Sequence, residues 1–420
     1  MASLQSVRGT KDLLPSQIQD WYFIENIFRK CAEQFGYTEL RTPIFEYTEV
    51  FLRGVGDTTD IVGKEMYTFD DKSGNSLTLR PEMTAALVRS VIQNSLIQQS
   101  SPTKLWYFGP FFRYERPQKG RYRQFHQFGA ECLNTEFPES DLETILLANR
   151  IIKSLGIAES NLQINSLGNE TVRANYKEEL KNYLKLHFDK LSEDSQRRLE
   201  SNPLRVIDSK DPKDIEISAN APKLKEYFDN ESADHFGFVI KSLDELGIDY
   251  TLKDNLVRGL DYYSHTVFEF QSSYLGSQDS FGGGGRYNRL FEELGGKKAP
   301  SVGFAFGVER LLLILEQQNL LSNTAPRLDF YVMTSNSNDL PVAISYTDRL
   351  IKMGKSANYD LHRKSFKSQL KDANRLNAKY VLILGEDEIK NNQISFKNME
   401  SGEQITIAQA DFEAQISNLI

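Results

Sequence analysis

The sequence predicts an α+β chain: strand-rich stretches with flanking helices and a helical insertion, followed by a small α/β domain. Three observations carry this reading. Two segments with strand-like alternation flank a polar loop between Thr103 and Leu133. A block over about 171–245, rich in Lys, Glu, Asp and Ser, has helical character, and strand signals resume after it at Asn255–Phe270. Beyond residue 326, apolar strand-like runs alternate with helical ones, as in β–helix–β units with a partly parallel sheet.

Taken in order, residues 16–35 read as a helix. Trp21, Ile24, Ile27, Phe28, Cys31 and Phe35 recur at helical spacing, Ser16 can cap the start, and Gly36 ends it. The segment ELRTPIFEYTEVF is strand-like at first and punctuated by Pro43. LRPEMT leads into the helical run AALVRSVI, and after the Thr103–Leu133 strands a helix is expected over Asp141–Leu155, then a strand in LQINSLG. Within the insertion, KEELKNYLKLHF and SQRRLE are helical. A strand–turn region at Ser280–Tyr287 precedes SVGFAFGVERLLLILEQ, a small-residue strand running into a helix. The polar stretch Leu321–Arg327, with Pro326, reads as a linker between domains of 1–325 and 326–420. In the second domain LDFYVMT and KYVLILG are strand-like, and VAISYTDRLIKMG and FKSQLKDANRLN helical.

The 420 residues leave room for two or three domains. A formal charge of −8 argues against nonspecific coating of nucleic acid and leaves open a structured RNA met through a local basic patch. Cys31 and Cys132 are expected to be buried free thiols in a reducing compartment. No run approaches the ~20 apolar residues of a membrane helix, and the N-terminus lacks the basic-then-apolar pattern of a signal peptide. A soluble, cytoplasmic protein with no membrane partner is expected.

The basic patch is RYERPQKGRYRQFHQFGAE, residues 113–131. Arg116, Lys119, Arg121 and Arg123 surround a Pro and a Gly at the tip of the two strands, a device suited to gripping a polyanion. Strand alternation puts Gly109, Phe111, Arg113 and Glu115 on one face, and Phe125, Gln127, Gly129 and Glu131 together. Gln127 and Glu131 are then roughly 13 Å apart, the opposite ends of a small-ligand pocket. Gly109 and Gly129 leave space for a ligand on the sheet. A solvated hairpin face is the plain alternative.

Glu82 and Thr84 in LRPEMT could seat an ammonium group, and equally could be an ordinary helix start. In LVRGLDYY, Arg258 offers a fork for carboxylate or phosphate. If this is a strand, Tyr262 shares the face of Arg258 and Tyr263 points the other way, so that both reach one ligand only at a bulge or strand end; an aromatic structural strand is the alternative. GGGGR lacks P-loop and dinucleotide spacing and reads as a glycine-rich turn. In GFAFGVER, Gly303, Ala305 and Gly307 would offer a bare face to a flat ring, with Arg310 nearby, or else allow tight helix–sheet packing. Lys367, Lys371 and Arg375 form a basic helical stripe, with Arg363 and Lys364 just before it. The histidines show no metal-ligand spacing, so no protein-dedicated metal is expected.

Together these motifs resemble the class II aminoacyl-tRNA synthetases, and specifically bacterial histidyl-tRNA synthetases, over nearly the whole chain. RTPIFE resembles the dimer-interface motif, FFRYERPQKGRYRQFHQFGAE the second motif and GFAFGVERL the third, while LVRGLDYY and GGGGRYN resemble the two segments peculiar to the histidine enzymes. The resemblance implies a class II antiparallel catalytic sheet flanked by helices, a helical insertion, a C-terminal anticodon-binding domain and a homodimer. It implies ATP-dependent activation of L-histidine and transfer to tRNA(His), with Mg2+ arriving on ATP near carboxylates such as Glu115.

Carried over by residue, the resemblance puts Glu82, Met83, Thr84, Gln127, Glu131, Tyr262 and Tyr263 around histidine. It puts Arg113, Glu115, Arg258 and Arg310 around ATP, Arg113 and Arg258 being the catalytic pair. Arg116, Gln118, Lys119, Arg121 and Arg123 face tRNA, and the Lys367–Arg375 helix the anticodon stem. Two positions depart from the pattern: Met83 replaces a glycine, adding bulk beside the ammonium site, and Asn288-Arg289 replaces Asp-Gly, where a positive φ would strain Arg289. The alternative is a non-catalytic histidine-sensing regulatory subunit of ATP phosphoribosyltransferase, which shares the catalytic fold but has no need of the phosphate and tRNA groups.

Overall fold

The structure, a computed structural model, describes residues 4–56, 59, 61–97, 101–276, 279–321 and 327–419. Most of the linker expected at Leu321–Arg327, including the boundary between 325 and 326, lies outside them. The chain folds as two compact units, the larger holding 4–13 and 20–321 and the smaller 14–19 and 327–419.

The larger unit takes most of α1 (Pro15–Gln34), whose Trp21, Ile24, Phe28 and Cys31 are buried at the expected helical spacing. There follow β1 (Thr38–Glu39), β2 (Phe45–Tyr47), α2 (Thr48–Val55), β3 (Tyr67–Asp70), β4 (Ser76–Leu79) and α3 (Thr84–Gln93). The segment ELRTPIFEYTEVF, strand-like at first as expected, turns helical at Thr48. Gly54 lets α2 pack against α3, since a Cβ there would stand 2.8 Å from the Ala85 methyl.

Next come the long hairpin β5 (Thr103–Phe112) and β6 (Gln124–Leu133), α4 (Pro138–Ser154) and β7 (Asn161–Ser166). The segment between β7 and β8 (Thr251–Leu252) is helical: α5 (Glu170–Lys185), α6 (Glu193–Ser201), α7 (Leu204–Ile207), α8 (Pro212–Ser218) and α9 (Asn230–Glu245). The unit closes with β9 (Ser264–Gln271), β10 (Ser280–Tyr287), α10 (Leu290–Glu293), β11 (Ser301–Gly307) and α11 (Val308–Gln317).

An eight-stranded sheet in the order β1-β5-β6-β11-β10-β9-β7-β8 organises the unit, and its central pairings from β5 to β7 are all antiparallel. Alternation gives the sheet two different faces. Trp106, Phe128, Ala130, Cys132, Val302, Phe304 and Phe306 pack under α1, α4 and α11. Gln127, Gly129 and Glu131 of β6, with Gly303, Ala305 and Gly307 of β11 beside them in register, face the other way. That open face, bounded by α3 and the insertion, holds the candidate site. Cys31 and Cys132 are buried free thiols.

The smaller unit is a five-stranded sheet with its helices. Its elements are β12 (Phe330–Thr334), α12 (Leu340–Lys352), β13 (Ala357–Tyr359), α13 (Phe366–Arg375), β14 (Tyr380–Leu384), α14 (Glu386–Lys390), β15 (Gln393–Asn398), β16 (Gln404–Ala408) and α15 (Phe412–Leu419). In the order β13-β12-β14-β15-β16, the first three strands are parallel and the last two antiparallel. Among the described residues no helix is long and apolar enough to cross a membrane.

Candidate active site

A cavity of about 660 Å³ lies on the open sheet face, the size of a small-molecule site. Glu131 lines it. It is 2 % exposed, its Oε2 accepts the Tyr287 hydroxyl at 2.7 Å, and its Oε1 accepts the Thr84 hydroxyl at 3.1 Å. Burial pushes its pKa up to about 8; the two hydrogen bonds pull it down, and nearby Glu82 pushes it up.

The glycines around this carboxylate make room for the protein's own side chains. A Cβ on Gly303 would fall 1.6 Å from Glu131 Oε2, and one on Gly129 2.2 Å from the Tyr107 hydroxyl. A Cβ on Gly109 would meet the Arg80 guanidinium at 2.6 Å, and Arg310 lies over Gly307, its Cδ 3.6 Å from the corresponding point. The open, ligand-ready face expected from these glycines is therefore partly filled. GGGGR is no turn either: it lies within β10, where Gly284 comes so close to β11 that a Cβ would sit 1.9 Å from the Gly303 carbonyl oxygen.

Glu82 stands two residues before α3 and lines the cavity. Its carboxylate accepts the N–H groups of Thr84 at 2.6 Å and Ala85 at 2.9 Å, satisfying donors that a helix start leaves open. Burial raises its pKa, opposed by these amides and by Arg113. Met83 sits at φ −104° and ψ −30°, ordinary right-handed backbone open to any residue. Its buried sulfur faces Thr42 Oγ1 at 3.5 Å and Arg80 Nη1 at 3.8 Å. Arg289 has φ −109°, so the strain expected from a positive φ does not arise.

LVRGLDYY proves to be a loop between β8 and β9, and strand begins only at Ser264. Freed from alternation, Arg258, Tyr262 and Tyr263 all line the cavity. Arg258 Nη1 donates to Glu269 Oε2 at 2.5 Å, and Gln271 Nε2 donates to the other Glu269 oxygen at 2.9 Å. Arg113, just past the end of β5, donates from Nε to the Pro81 carbonyl at 2.9 Å and lies 5.2 Å from the centre of the Phe125 ring. Gln127, Glu115, Arg121 and Arg310 complete the polar wall. The Arg310 guanidinium donates to the Ser280 carbonyl, and burial works against its charge. Guanidinium groups thus share the cavity with its carboxyls and phenols: Arg113 acts on the Glu82 carboxyl and Arg258 on the Tyr263 phenol, in a partly desolvated space.

The basic tip divides. Gln118 and Arg121 exchange backbone hydrogen bonds of 3.2 and 2.9 Å, closing a tight turn with Gly120 at φ +75°. Arg116, Gln118 and Lys119 are exposed. Arg121 bends towards Glu115, 3.4 Å away, and lines the cavity. The Arg123 guanidinium stacks 3.9 Å from the centre of the Tyr114 ring. In the smaller unit, Lys367, Lys371 and Arg375 of α13 are exposed, while Asp372 takes ion pairs from Lys364 at 2.5 Å and Arg375 at 3.2 Å.

Sequence reasoning missed Tyr107, Tyr287, Glu269 and Glu309, which also line the cavity. Tyr287 closes the GGGGRY motif, so position was a usable signal. Tyr107 would have shown itself only through the cross-strand pair with Gly129, because the ring fills the space that glycine leaves. Glu309 carries no local signal: it accepts the backbone N–H of His126, far away in sequence, at 2.9 Å.

Comparison with known proteins places this geometry. The family model for histidyl-tRNA synthetase matches residues 9–311, and that for an anticodon binding domain matches residues 329–419. The chain is 45% identical over 417 residues to the histidine–tRNA ligase of Halothermothrix orenii, covering 99% of this chain and 100% of that one. It is 47% identical over 419 residues to that of Acaryochloris marina, covering 100% and 97%. Among solved structures, the apo histidyl-tRNA synthetase of S. aureus superposes with a TM-score of 0.83 at 37% identity, over 98% of each chain. The chain belongs to the histidyl-tRNA synthetase family.

Proposed function

We propose residue roles for the reaction of this family, in which the chain joins L-histidine to tRNA(His) with ATP as co-substrate. The observation that carries them is the lining of one cavity, which brings Glu82, Gln127, Glu131 and the tyrosines together with Arg113, Arg258 and Arg310.

Neutral imidazole offers one N–H and one lone pair, so its recognition needs one acceptor and one donor. A Glu131 carboxyl oxygen is the acceptor, strongest once the group ionises near pH 8. Tyr263, whose phenol burial keeps protonated, is the donor. Thr84 and Tyr287 hold Glu131 against rotation, and the bare Gly303 gives it room. Glu82 and Gln127 take the ammonium end of the substrate, beside Met83 and Tyr262.

The histidine carboxylate attacks the α-phosphorus of ATP in line and releases pyrophosphate. No general base is needed, because the nucleophile is already ionised. Arg113 and Arg258 stabilise the charge that builds on the α-phosphate oxygens. Glu269 holds Arg258 ready, and Arg310 faces the nucleotide.

Mg2+ suits the carboxylates present, since this ion is commonly held by one or two carboxylates and the substrate's phosphates. Glu115 Oε2 is buried and accepts no hydrogen bond, with Arg121 3.4 Å away, so Glu115 is the group that would hold the ion. When bound, the ion would neutralise phosphate charge. Arg116, Gln118 and Lys119 address the acceptor end of the tRNA, and the exposed cations of α13 its anticodon stem.

We also infer a homodimer working in the cytoplasm. Phe45, Tyr47 and Phe69 of the three-stranded β2-β4-β3 sheet, with Ile44 and Leu52 beside it, are each more than two-fifths exposed, an apolar surface that a second copy would cover. Sedimentation should give twice the chain mass. The roles themselves are tested by Arg258→Ala. Adenylate formation should fall by about 100-fold or more while calorimetry still detects histidine binding; normal adenylate formation removes Arg258 from the mechanism.

A further inference from the structure

The loop from Lys253 to Tyr263 carries Arg258, Tyr262 and Tyr263, yet it has no strand or helix ladder of its own. Side chains that meet a reacting centre must be placed to within about 0.5 Å, and elements with regular hydrogen bonding usually do this. Asn165 of β7 donates to the Asp254 and Leu256 carbonyls at 3.1 Å and the Val55 carbonyl accepts the Asp261 N–H at 3.4 Å, and the helical insertion supplies further partners. Arg173 of α5 donates through Nη1 to the Tyr263 carbonyl oxygen, and to the Asp261 carbonyl oxygen at 3.3 Å. Asn202, the C-cap of α6, donates through Nδ2 to the Asp261 carboxylate at 2.8 Å.

Two further contacts come from α7. The Ile207 carbonyl accepts the Asn255 side-chain amide at 3.3 Å, and Arg205 Nη2 lies 3.7 Å from where a Gly259 Cβ would be. Arg173, Asn202, Arg205 and Asp261 meet at a crevice of about 20 Å³ that shares Arg258 and Tyr263 with the main cavity. Burial works against the Arg173 charge, so an apolar side chain would serve packing better at this position. The two loop carbonyls account for the guanidinium.

We propose that Arg173 and Asn202 are positioning residues for adenylate formation: through them the helical insertion fixes the Arg258–Tyr263 loop and sets the geometry of the reaction cavity. The inference rests on the role given to Arg258 above. It makes the insertion part of the catalytic apparatus, because a displacement of α5 or α6 would carry Arg258 and Tyr263 with it.

The test uses the full chain with Arg173→Gln, Arg173→Lys, Asn202→Ala, Arg258→Ala and the double variant Arg173→Gln/Arg258→Ala. Single-turnover adenylate formation is measured per active site, together with the KM values for histidine and tRNA. Misplacement of the loop should slow adenylate formation by about 10- to 100-fold in Arg173→Gln and raise the histidine KM, with the tRNA KM unchanged. Arg173→Lys, which keeps a donor, should recover most of the rate. In the Arg258→Ala background, at saturating histidine, Arg173→Gln should cost the rate less than about 2-fold, since the group whose placement sets the rate is gone, while the histidine KM should still rise through Tyr263.

A merely structural role would lower the melting temperature or the fraction of active protein and leave the rate per active site intact. That result overturns the proposal, as does an undiminished Arg173 effect on the rate in the double variant. If Arg173→Gln does not fold, Asn202→Ala decides by the same rate and KM criteria. Normal adenylate formation in Arg258→Ala itself would instead remove the underlying role of Arg258, and the proposal with it.

Discussion

Glu131→Gln should make the protein more stable at pH 8 and unable to use histidine efficiently. The buried carboxyl has its pKa pushed up to about 8 from 4.5. In the unfolded chain it titrates near the lower value. The folded pKa is the higher one, so the stabilising contribution is complete below the unfolded value and is lost as pH rises through the folded value. At ~1.4 kcal/mol per pKa unit the loss amounts to roughly 4–5 kcal/mol by pH 8, an upper bound.

Glutamine keeps the shape without the charge. Tyr287 and Thr84 can still pair with it if one hydroxyl turns to accept from the amide, which recovers only part of the hydrogen bonding. A net gain of about 2 kcal/mol at pH 8 follows, turning into a net loss of about 1–2 kcal/mol at pH 5, where the native carboxyl is already protonated and only the poorer hydrogen bonding remains. Replacing an ionised acceptor of the imidazole N–H with a neutral amide should lower kcat/KM for histidine by about 10- to 100-fold. Thermal melting at pH 5 and pH 8, paired with histidine-dependent pyrophosphate exchange, checks both halves. A variant that melts below the native protein by the same margin at both pH values, or that activates histidine normally, refutes the reasoning.

Three further outcomes follow from the geometry. Gly303→Ala should leave the fold intact but displace the Glu131 carboxylate, raising the histidine KM by about 10-fold in steady-state exchange with little change in the ATP KM. Arg286→Met should lower stability by about 3–5 kcal/mol in denaturant titration, because it strands the fully buried Asp141, whose carboxylate it bonds at 2.9 Å. Burial alone would raise the Asp141 pKa, but Arg286 and His235 override it and hold the carboxyl well below the usual range. That contribution is present above the ordinary aspartate pKa and lost as pH falls through the lowered folded value. Reversing the exposed charges with Arg116→Glu/Lys119→Glu should raise the tRNA KM and leave exchange nearly intact, whereas Arg121→Ala, within the cavity, should impair exchange.

The pattern of the chain revealed some of this and hid the rest for identifiable reasons. Alternation in β5 and β6 exposed the hairpin and put Gln127, Gly129 and Glu131 on one face, because a strand's period depends only on local geometry. The β–helix–β alternation after residue 326 announced the partly parallel sheet in the same way. The LVRGLDYY loop was harder. Its Val and Tyr residues favour strands, while hydrogen bonds that shape it come from Asn165, Arg173 and Asn202, all more than fifty residues earlier. Thr48–Val55 is helical through packing on α3 that EYTEVF does not announce. The glycines of β5, β6 and β11 were legible as missing side chains, but not what fills the space: Arg80, Tyr107 and Glu131 arrive from neighbouring elements. Charge was legible as a cluster at the tip, and only the turn at Gly120 divides Arg121 from Arg116 and Lys119.

The central claim is that this cavity selects histidine and activates it on ATP. Its most direct test is ATP–pyrophosphate exchange by the purified chain with each amino acid offered separately. The account predicts rapid exchange with histidine and only background exchange with the others. Absence of exchange with histidine, or faster exchange with another amino acid, would contradict it.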